Sequence, residues 1–185
     1  MLAAVVLDAL GAPHDPGLDV AVGPGAAQRL RRELRAVARR WAAALAPDRA
    51  FEATSGAAAA IALDGHVGPV VLVAPDIPAL GPAQARSVLE DLQAGTGLAV
   101  GSAHDGRPYL VVLAAFEPAL VEGADAGWEA LMAAAAERDL SVAMLRPERR
   151  LASAADARAL ALDPLAPAGL VAQLGRLRPT APPGP

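Results

Sequence analysis

The chain has 185 residues, of which 54% are hydrophobic and 19% are charged, so it can bury the core of a single domain. It contains no cysteine and no lysine, which excludes disulfides, thiolate nucleophiles, sulfur-ligated metals, Schiff-base chemistry and a P-loop lysine. A net charge of −4 argues against general nucleic-acid binding, and no apolar run approaches the roughly 20 residues that cross a bilayer.

The N-terminal residues read as a strand followed by a long helix. Residues 2–7 form an apolar run that ends at Asp8, which is typical of a buried strand. No basic leader precedes this run, so we expect a cytoplasmic protein rather than a secreted one. Gly23-Pro24-Gly25 then begins a helix that extends to about Leu45, and its predicted buried stripe is Leu30, Leu34, Val37 and Trp41. The arginines on the remaining surface predict a solvated face; the alternative is a surface for an anionic partner.

The strongest strand signal lies in the middle of the chain. After a predicted strand over 51–54 and a short helix over 57–63, residues 69–74 form a continuous apolar run, as in a parallel strand that is buried on both faces. This run is followed by Asp76, which stands between two prolines. Ligands of open α/β sheets bind beyond the carboxyl ends of the strands, so Asp76 is the best-placed charged residue, although it also fits a simple turn or cap.

The rest of the chain continues to alternate between helix and strand. Gly81-Pro82 begins a helix. Two predicted strands, 98–101 and 109–113, flank a polar loop that forms a second candidate wall of the site. A helix over 128–136, a strand over 140–145 and a helix over 153–160 follow. The alternation predicts an α/β fold with one domain over 1–177 and a disordered proline-rich tail over 178–185. The pattern does not specify an oligomeric state.

Few groups in the sequence can carry chemistry. The three histidines, at 14, 66 and 104, lack the spacing of a zinc site, and no Gly-x-Ser-x-Gly elbow supports a nucleophilic serine. Carboxylates remain, namely Asp8, Asp76 and Asp105, each near a predicted strand end. These could hold a magnesium ion or a sugar hydroxyl.

Two segments, residues 71–80 (VLVAPDIPAL) and 100–110 (VGSAHDGRPYL), resemble paired motifs of the glycosyltransferase-like family called selenodomain-associated transferase 1. Members of that family read Gly-x-Asp-x-Pro-x-Leu at the end of a central strand and then Gly-Pro-x-x-Asp-Gly-Gly-Tyr-Tyr-Leu. Further matches are Gly23 to Ala27, Trp128 and Asp156, so the resemblance covers residues 2–160.

The resemblance implies a fold, a ligand and a set of site residues. The fold would be a three-layer GT-A-like (nucleotide-diphospho-sugar transferase-like), mostly parallel sheet flanked by helices, as in the guanylyltransferases that act on 2-phospholactate. The ligand would be a nucleotide or nucleotide sugar, and the implied cofactor is Mg²⁺ or Mn²⁺, held by Asp76. The implied catalytic residues are Asp76 and Asp105, and the implied nucleotide- or substrate-binding residues are Asp8, Gly106, Arg107, Tyr109 and Trp128.

The sequence departs from the family pattern at its charged motifs. The family's first loop, Lys-x-Pro-x-x-Gly-x-x-Lys-Thr-Arg-Leu, is met by residues 16–22 (PGLDVAV), which carry no basic side chain. Its C-terminal Asp-Val-Asp-Thr-Pro-Glu-Asp-Leu is met by residues 150–157 (RLASAADA). Loss of the basic residues weakens the stabilisation of an anionic donor, and loss of the C-terminal carboxylates removes ligands that could complete a metal site. Two hypotheses follow: a nucleotidyl- or glycosyl-transferase-like protein with weakened or lost activity, and a non-catalytic homologue that binds a small molecule or a protein partner.

Overall fold

A computed structural model describes residues 1–174 of the chain. The predicted tail and the last three residues of the predicted domain lie outside the described residues. Within 1–174, no helix is both long and apolar enough to cross a membrane.

A single six-stranded sheet organises the described residues. Its spatial order is β2-β1-β3-β5-β4-β6, and β5 runs antiparallel to both of its neighbours while the other pairs are parallel. The predicted mostly parallel α/β sheet flanked by helices is therefore confirmed. The strands are β1 (Ala3–Leu7), β2 (Ala50–Ala53), β3 (Val70–Val73), β4 (Leu98–Ala103), β5 (Pro108–Leu113) and β6 (Val142–Glu148).

Helices connect the strands and cover both faces of the sheet. Every residue of β1, β3 and β5 is buried, and because successive side chains of a strand point to opposite faces, both faces of the central sheet must be covered. A turn of 3-10 helix spans Asp8–Leu10. The α-helices are α1 (Pro16–Val22), α2 (Pro24–Leu45), α3 (Gly56–Ala62), α4 (Pro82–Gln93), α5 (Pro118–Glu122), α6 (Trp128–Ala136), α7 (Ala154–Leu162) and α8 (Ala168–Leu174).

The buried residues form two clusters, and α2 contributes to both. The C-terminal half of α2 packs Ala38 and Trp41 into the main core around the sheet. Its N-terminal half packs Leu30 and Leu34 into a smaller cluster with residues of α1, α7 and α8. Three members of the predicted buried stripe of α2 are thus buried, whereas Val37 is only partly buried. The smaller cluster holds α1, α7 and α8 against the N-terminal half of α2.

One helix, α1, differs from the sequence prediction, which treated residues 16–22 as a loop. The Asp15 carboxylate accepts a hydrogen bond from Gly17 N at 2.7 Å, and Pro16 occupies the first turn. Gly23 follows with a φ of +86°, a conformation that favours glycine. An Asp-Pro start and a glycine stop are ordinary helix signals. The segment that the resemblance treats as a ligand loop is therefore a short packed helix.

Candidate functional site

The candidate site is a cleft at the carboxyl edge of the sheet, between β1 and β3. The chain passes from β1 to β2 on one side and then returns to β3 on the other side of β1, so the direction of winding reverses between β1 and β3. Such a topological switch point leaves a crevice outside the strand ends, where open α/β sheets bind ligands. The position of the cleft therefore follows from the strand order.

Two of the predicted carboxylates meet in this cleft. Asp8 comes directly after β1, and Asp76 follows β3 by three residues. Asp76 Oδ2 accepts a hydrogen bond from Ala12 N at 2.8 Å, which ties the loop after β1 to the loop after β3. Gly11 allows this approach, because a Cβ there would lie 3.0 Å from the Asp8 carbonyl oxygen and 3.3 Å from Pro75 Cδ.

The cleft is small and bounded by polar and apolar groups alike. Its volume is about 260 Å³, slightly below the roughly 300–1,000 Å³ of typical small-molecule pockets. Asp76 is mostly buried, with 16% of its side chain exposed, whereas Asp8 is 32% exposed. The lining residues are Asp8, Gly11, Ala12, Pro13, His14, Arg31, Leu34, Arg35, Pro75, Asp76, Leu151 and Ala152.

Two arginines of α2 pair with Asp8 in the cleft and with acidic side chains beside it. Arg35 Nη2 donates to Asp8 Oδ1 at 2.6 Å, and its Nη1 donates to Glu52 Oε2 at 3.0 Å. The hydrogen bond to Asp8 raises the pKa of Arg35 above its ordinary value, and the hydrogen bond to Glu52 makes a smaller contribution. Arg31 Nη2 donates to Asp19 Oδ1 at 2.9 Å. Both arginines line the cleft, so they face it and not only solvent.

A third arginine, Arg150, pairs with the carboxylates of Asp76 and Asp105. Arg150 follows β6 and is only 2% exposed. Its Nη1 donates to Asp76 Oδ2 at 3.0 Å and to the Leu10 carbonyl at 3.1 Å. Its Nε lies 3.1 Å from Asp105 Oδ2, which is an ion-pair distance, but the N–H is not aligned for a hydrogen bond. Arg150 thus connects the loops that follow β1, β3 and β4.

The carboxylates do not fit the divalent cation that the resemblance implies. A hard cation such as Mg²⁺ takes about six oxygen ligands, and protein sites supply one or two carboxylates that must be free to coordinate it. Among residues 1–174, no group of three or more acidic or histidine side chains is arranged to hold one. The oxygens of Asp76 and Asp105 that could serve already face the Arg150 guanidinium. Asp76 and Asp105, as paired in this structure, therefore do not fit a divalent cation.

The remaining predicted site residues lie outside the cleft. Asp105, Gly106 and Arg107 form the tight turn between β4 and β5, where Asp105 Oδ1 accepts from Arg107 N at 3.1 Å and Gly106 has a φ of +80°. Trp128 begins α6 and packs partly buried against the main core. The structure brings Asp105 near Asp76 through Arg150, but it brings neither Gly106, Arg107 nor Trp128 to the cleft.

Tyr109 is a core residue in the structure. It is 1% exposed, its hydroxyl donates to the Arg146 carbonyl at 2.9 Å, and its ring lies against Gly101. Burial raises the pKa of the Tyr109 hydroxyl, and the nearby Glu148 carboxylate raises it further. A side chain enclosed in this way offers no surface to a ligand in the cleft.

Sequence reasoning did not identify the arginines that complete the site. Arg31 and Arg35 belong to a helix face with many arginines, and Arg150 belongs to a departure from the family pattern. A signal was present for α2, since Arg31 and Arg35 are four residues apart and so lie on one face of the helix. No local signal marks Arg150, because its partner Asp76 is 74 positions away in the chain.

Comparison with known proteins supports the fold. No family model and no curated protein matches the sequence. A crystal structure of a candidate nucleotide-diphospho-sugar transferase from Desulfovibrio desulfuricans G20 superposes with a TM-score of 0.66 at 20% identity, covering 87% of this chain and 85% of that one. A manganese complex of Rv0371c from Mycobacterium tuberculosis H37Rv gives a TM-score of 0.43 at 18% identity over 85% of this chain and 96% of that one, too low a score to support an argument. The chain therefore has a nucleotide-diphospho-sugar transferase-like fold.

Proposed function

We propose that this protein is a diverged relative of the glycosyltransferase-like family that binds a nucleotide or nucleotide sugar in the cleft, with weakened or lost transfer activity. The observation that carries the proposal is the position of the cleft. It lies at the switch point between β1 and β3, and it is bounded by Asp8 and Asp76 from the two strand ends. Hydroxyl groups of a ribose or sugar are suitable donors to such carboxylates.

The charges around the cleft argue against efficient transfer. Transfer of a phosphoryl or glycosyl group needs positive charge that is free to stabilise the charge developing on the leaving phosphate. Arg31, Arg35 and Arg150 each face a carboxylate already. A donor with two or three phosphates would therefore meet little uncompensated positive charge, and we expect slow turnover or none.

The experiment is a thermal-shift and calorimetric panel of nucleoside triphosphates and nucleotide sugars, each measured with EDTA, Mg²⁺ or Mn²⁺. A ligand that binds the native state must raise the melting temperature. Ala152→Leu serves as the test variant because Ala152 lines the cleft, and Ala155→Leu on the exposed face of α7 is its matched control. Binding that is lost in Ala152→Leu and kept in Ala155→Leu supports the cleft. A flat panel for the wild type would sink the proposal.

A second candidate function is binding of an uncharged polar molecule by a non-catalytic homologue. Two observations favour it. The charged side chains of Asp8, Asp76, Arg31 and Arg35 line the cleft and are all in ion pairs, and the volume of the cleft is small. Nucleosides and free sugars added to the same panel discriminate the two candidates. Shifts with guanosine or uridine but not with the corresponding phosphates would favour this function.

A further inference from the structure

Arg150 makes a set of contacts that a metal ion would ordinarily make. The guanidinium faces two carboxylates, of Asp76 and Asp105, and two main-chain carbonyls, of Leu10 and Pro108. The distances are 3.0 Å to Asp76, 3.1 Å to Asp105, 3.1 Å to Leu10 and 3.4 Å to Pro108. Carboxylate and carbonyl oxygens from several loops are the donor set that hard cations prefer.

Burial of the charged Arg150 side chain is energetically unfavourable unless its partners compensate the charge. An arginine is always protonated in a protein, so removal of its charge from water must be offset by acidic or carbonyl partners. The side chain is 3% exposed and its Nε lacks an aligned acceptor. The two carboxylates, in turn, would repel one another across the same space without a cation between them.

We propose that Arg150 replaces a divalent cation as the permanent positive charge between Asp76 and Asp105, so that this site needs no metal. Arg150 does not line the cleft and acts as a positioning residue through Asp76, whose Oδ2 it shares with the Ala12 N–H. The carboxylates are thereby fixed and compensated inside the fold. Removal of the guanidinium, with the carboxylates kept, should create a site to which Mn²⁺ binds.

The inference shares its site with the proposed function but does not depend on any nucleotide. The probe is Mn²⁺ alone, measured by electron paramagnetic resonance of the free ion and by the melting temperature. The variants are Arg150→Met, which removes the charge, Arg150→Lys, which keeps it, and Arg149→Met, which removes the charge of the more exposed neighbour. A nucleotide panel that fails while these measurements succeed would overturn the proposed function and leave this inference in place.

We expect the wild type, Arg150→Lys and Arg149→Met to bind no Mn²⁺ in an Asp76-dependent way. Arg150→Met should melt at a lower temperature than Arg149→Met, and saturating Mn²⁺ should raise its melting temperature by about 5 °C or more. Adding Asp76→Asn to Arg150→Met should abolish that rise, whereas a merely structural role of Arg150 would give a loss of stability that Mn²⁺ does not restore.

Two results would overturn the inference. One is Mn²⁺ binding by the wild type that Asp76→Asn removes, because the site would then accept a metal with Arg150 in place. The other is an Arg150→Met, folded or unfolded, that Mn²⁺ neither stabilises nor restores to the folded state.

Discussion

Arg35 Nη2 lies 2.6 Å from Asp8 Oδ1, and the same guanidinium reaches Glu52 through Nη1 at 3.0 Å. Asp8 follows β1 and Glu52 belongs to β2, so one side chain of α2 joins the helix to two neighbouring strands. The contact also neutralises Asp8, which is the more exposed of the two carboxylates that line the cleft. It therefore links the stability of the N-terminal half to the electrostatics of the site.

Replacement of Arg35 by methionine tests this link. The pairs of Arg35 are partly exposed, with about a third of each side chain accessible, so solvent screens them and we expect a loss of only about 0.5–1 kcal/mol in the free energy of unfolding. Urea denaturation measures it. Arg32→Met, an exposed change on the same helix, is the control and should alter stability by less. The difference between the two variants should shrink in 1 M salt, where the Debye length is about 3 Å. Equal losses at both salt concentrations would contradict an electrostatic origin.

Gly101 of β4 provides a test of how tightly Tyr109 is enclosed. A Cβ at Gly101 would lie 2.7 Å from Tyr109 Cε1 and 3.0 Å from its hydroxyl oxygen. We expect Gly101→Ala to cost about 1–3 kcal/mol, as overpacking of a filled core does. Gly25→Ala is the matched control, because its nearest neighbour is the flexible end of Arg29 at 3.7 Å and alanine favours a helix. Stability of Gly101→Ala equal to the wild type would show that the Tyr109 ring can move.

The sequence predicted the fold better than it predicted the site, and the reason is the range of the interactions involved. The strand predicted over 69–74 and the helix start predicted at Gly23-Pro24 rest on local patterns, and the structure confirms both, with β3 at Val70–Val73 and α2 beginning at Pro24. The position of Asp76 at a strand end was likewise a local inference, and the structure does place it in a cleft. The partners of Arg35 and Arg150 lie 27 and 74 positions away, and no periodicity encodes such pairs. Tyr109 was predicted as a binding residue but is buried in the core, because the motif around it does not specify which way its side chain points.

Asp156, which matches a carboxylate of the family pattern, should act as a helix cap. Its Oδ2 accepts from Ser153 N at 2.9 Å and from Ala152 N at 3.2 Å, while Ser153 Oγ accepts from Asp156 N at 3.1 Å. We expect Asp156→Ala to lower the free energy of unfolding by about 1 kcal/mol, the usual cost of a lost cap, with no change in ligand or Mn²⁺ response. Asp125→Ala, which removes an exposed acidic residue outside α7, is the control. A change in ligand affinity with unchanged stability would assign Asp156 to the site instead.

Tyr109 is the single tyrosine of the chain, so its ionisation can be followed by the absorbance of the phenolate. Burial raises its pKa above the ordinary value of about 10. Because the folded state holds the proton more tightly than the unfolded state, the resulting stability is fully present below about pH 10 and is lost as the pH rises further. We therefore expect the phenolate signal of the native protein to appear well above pH 10 and together with the loss of helical circular dichroism. Protein unfolded in guanidinium should titrate near the ordinary value.

Tyr109→Phe removes the signal and the hydrogen bond to the Arg146 carbonyl, at a cost of about 1 kcal/mol. Phenolate that forms near pH 10 while the circular dichroism is unchanged would place the hydroxyl in contact with solvent, and Tyr109 would then again be a candidate for ligand binding.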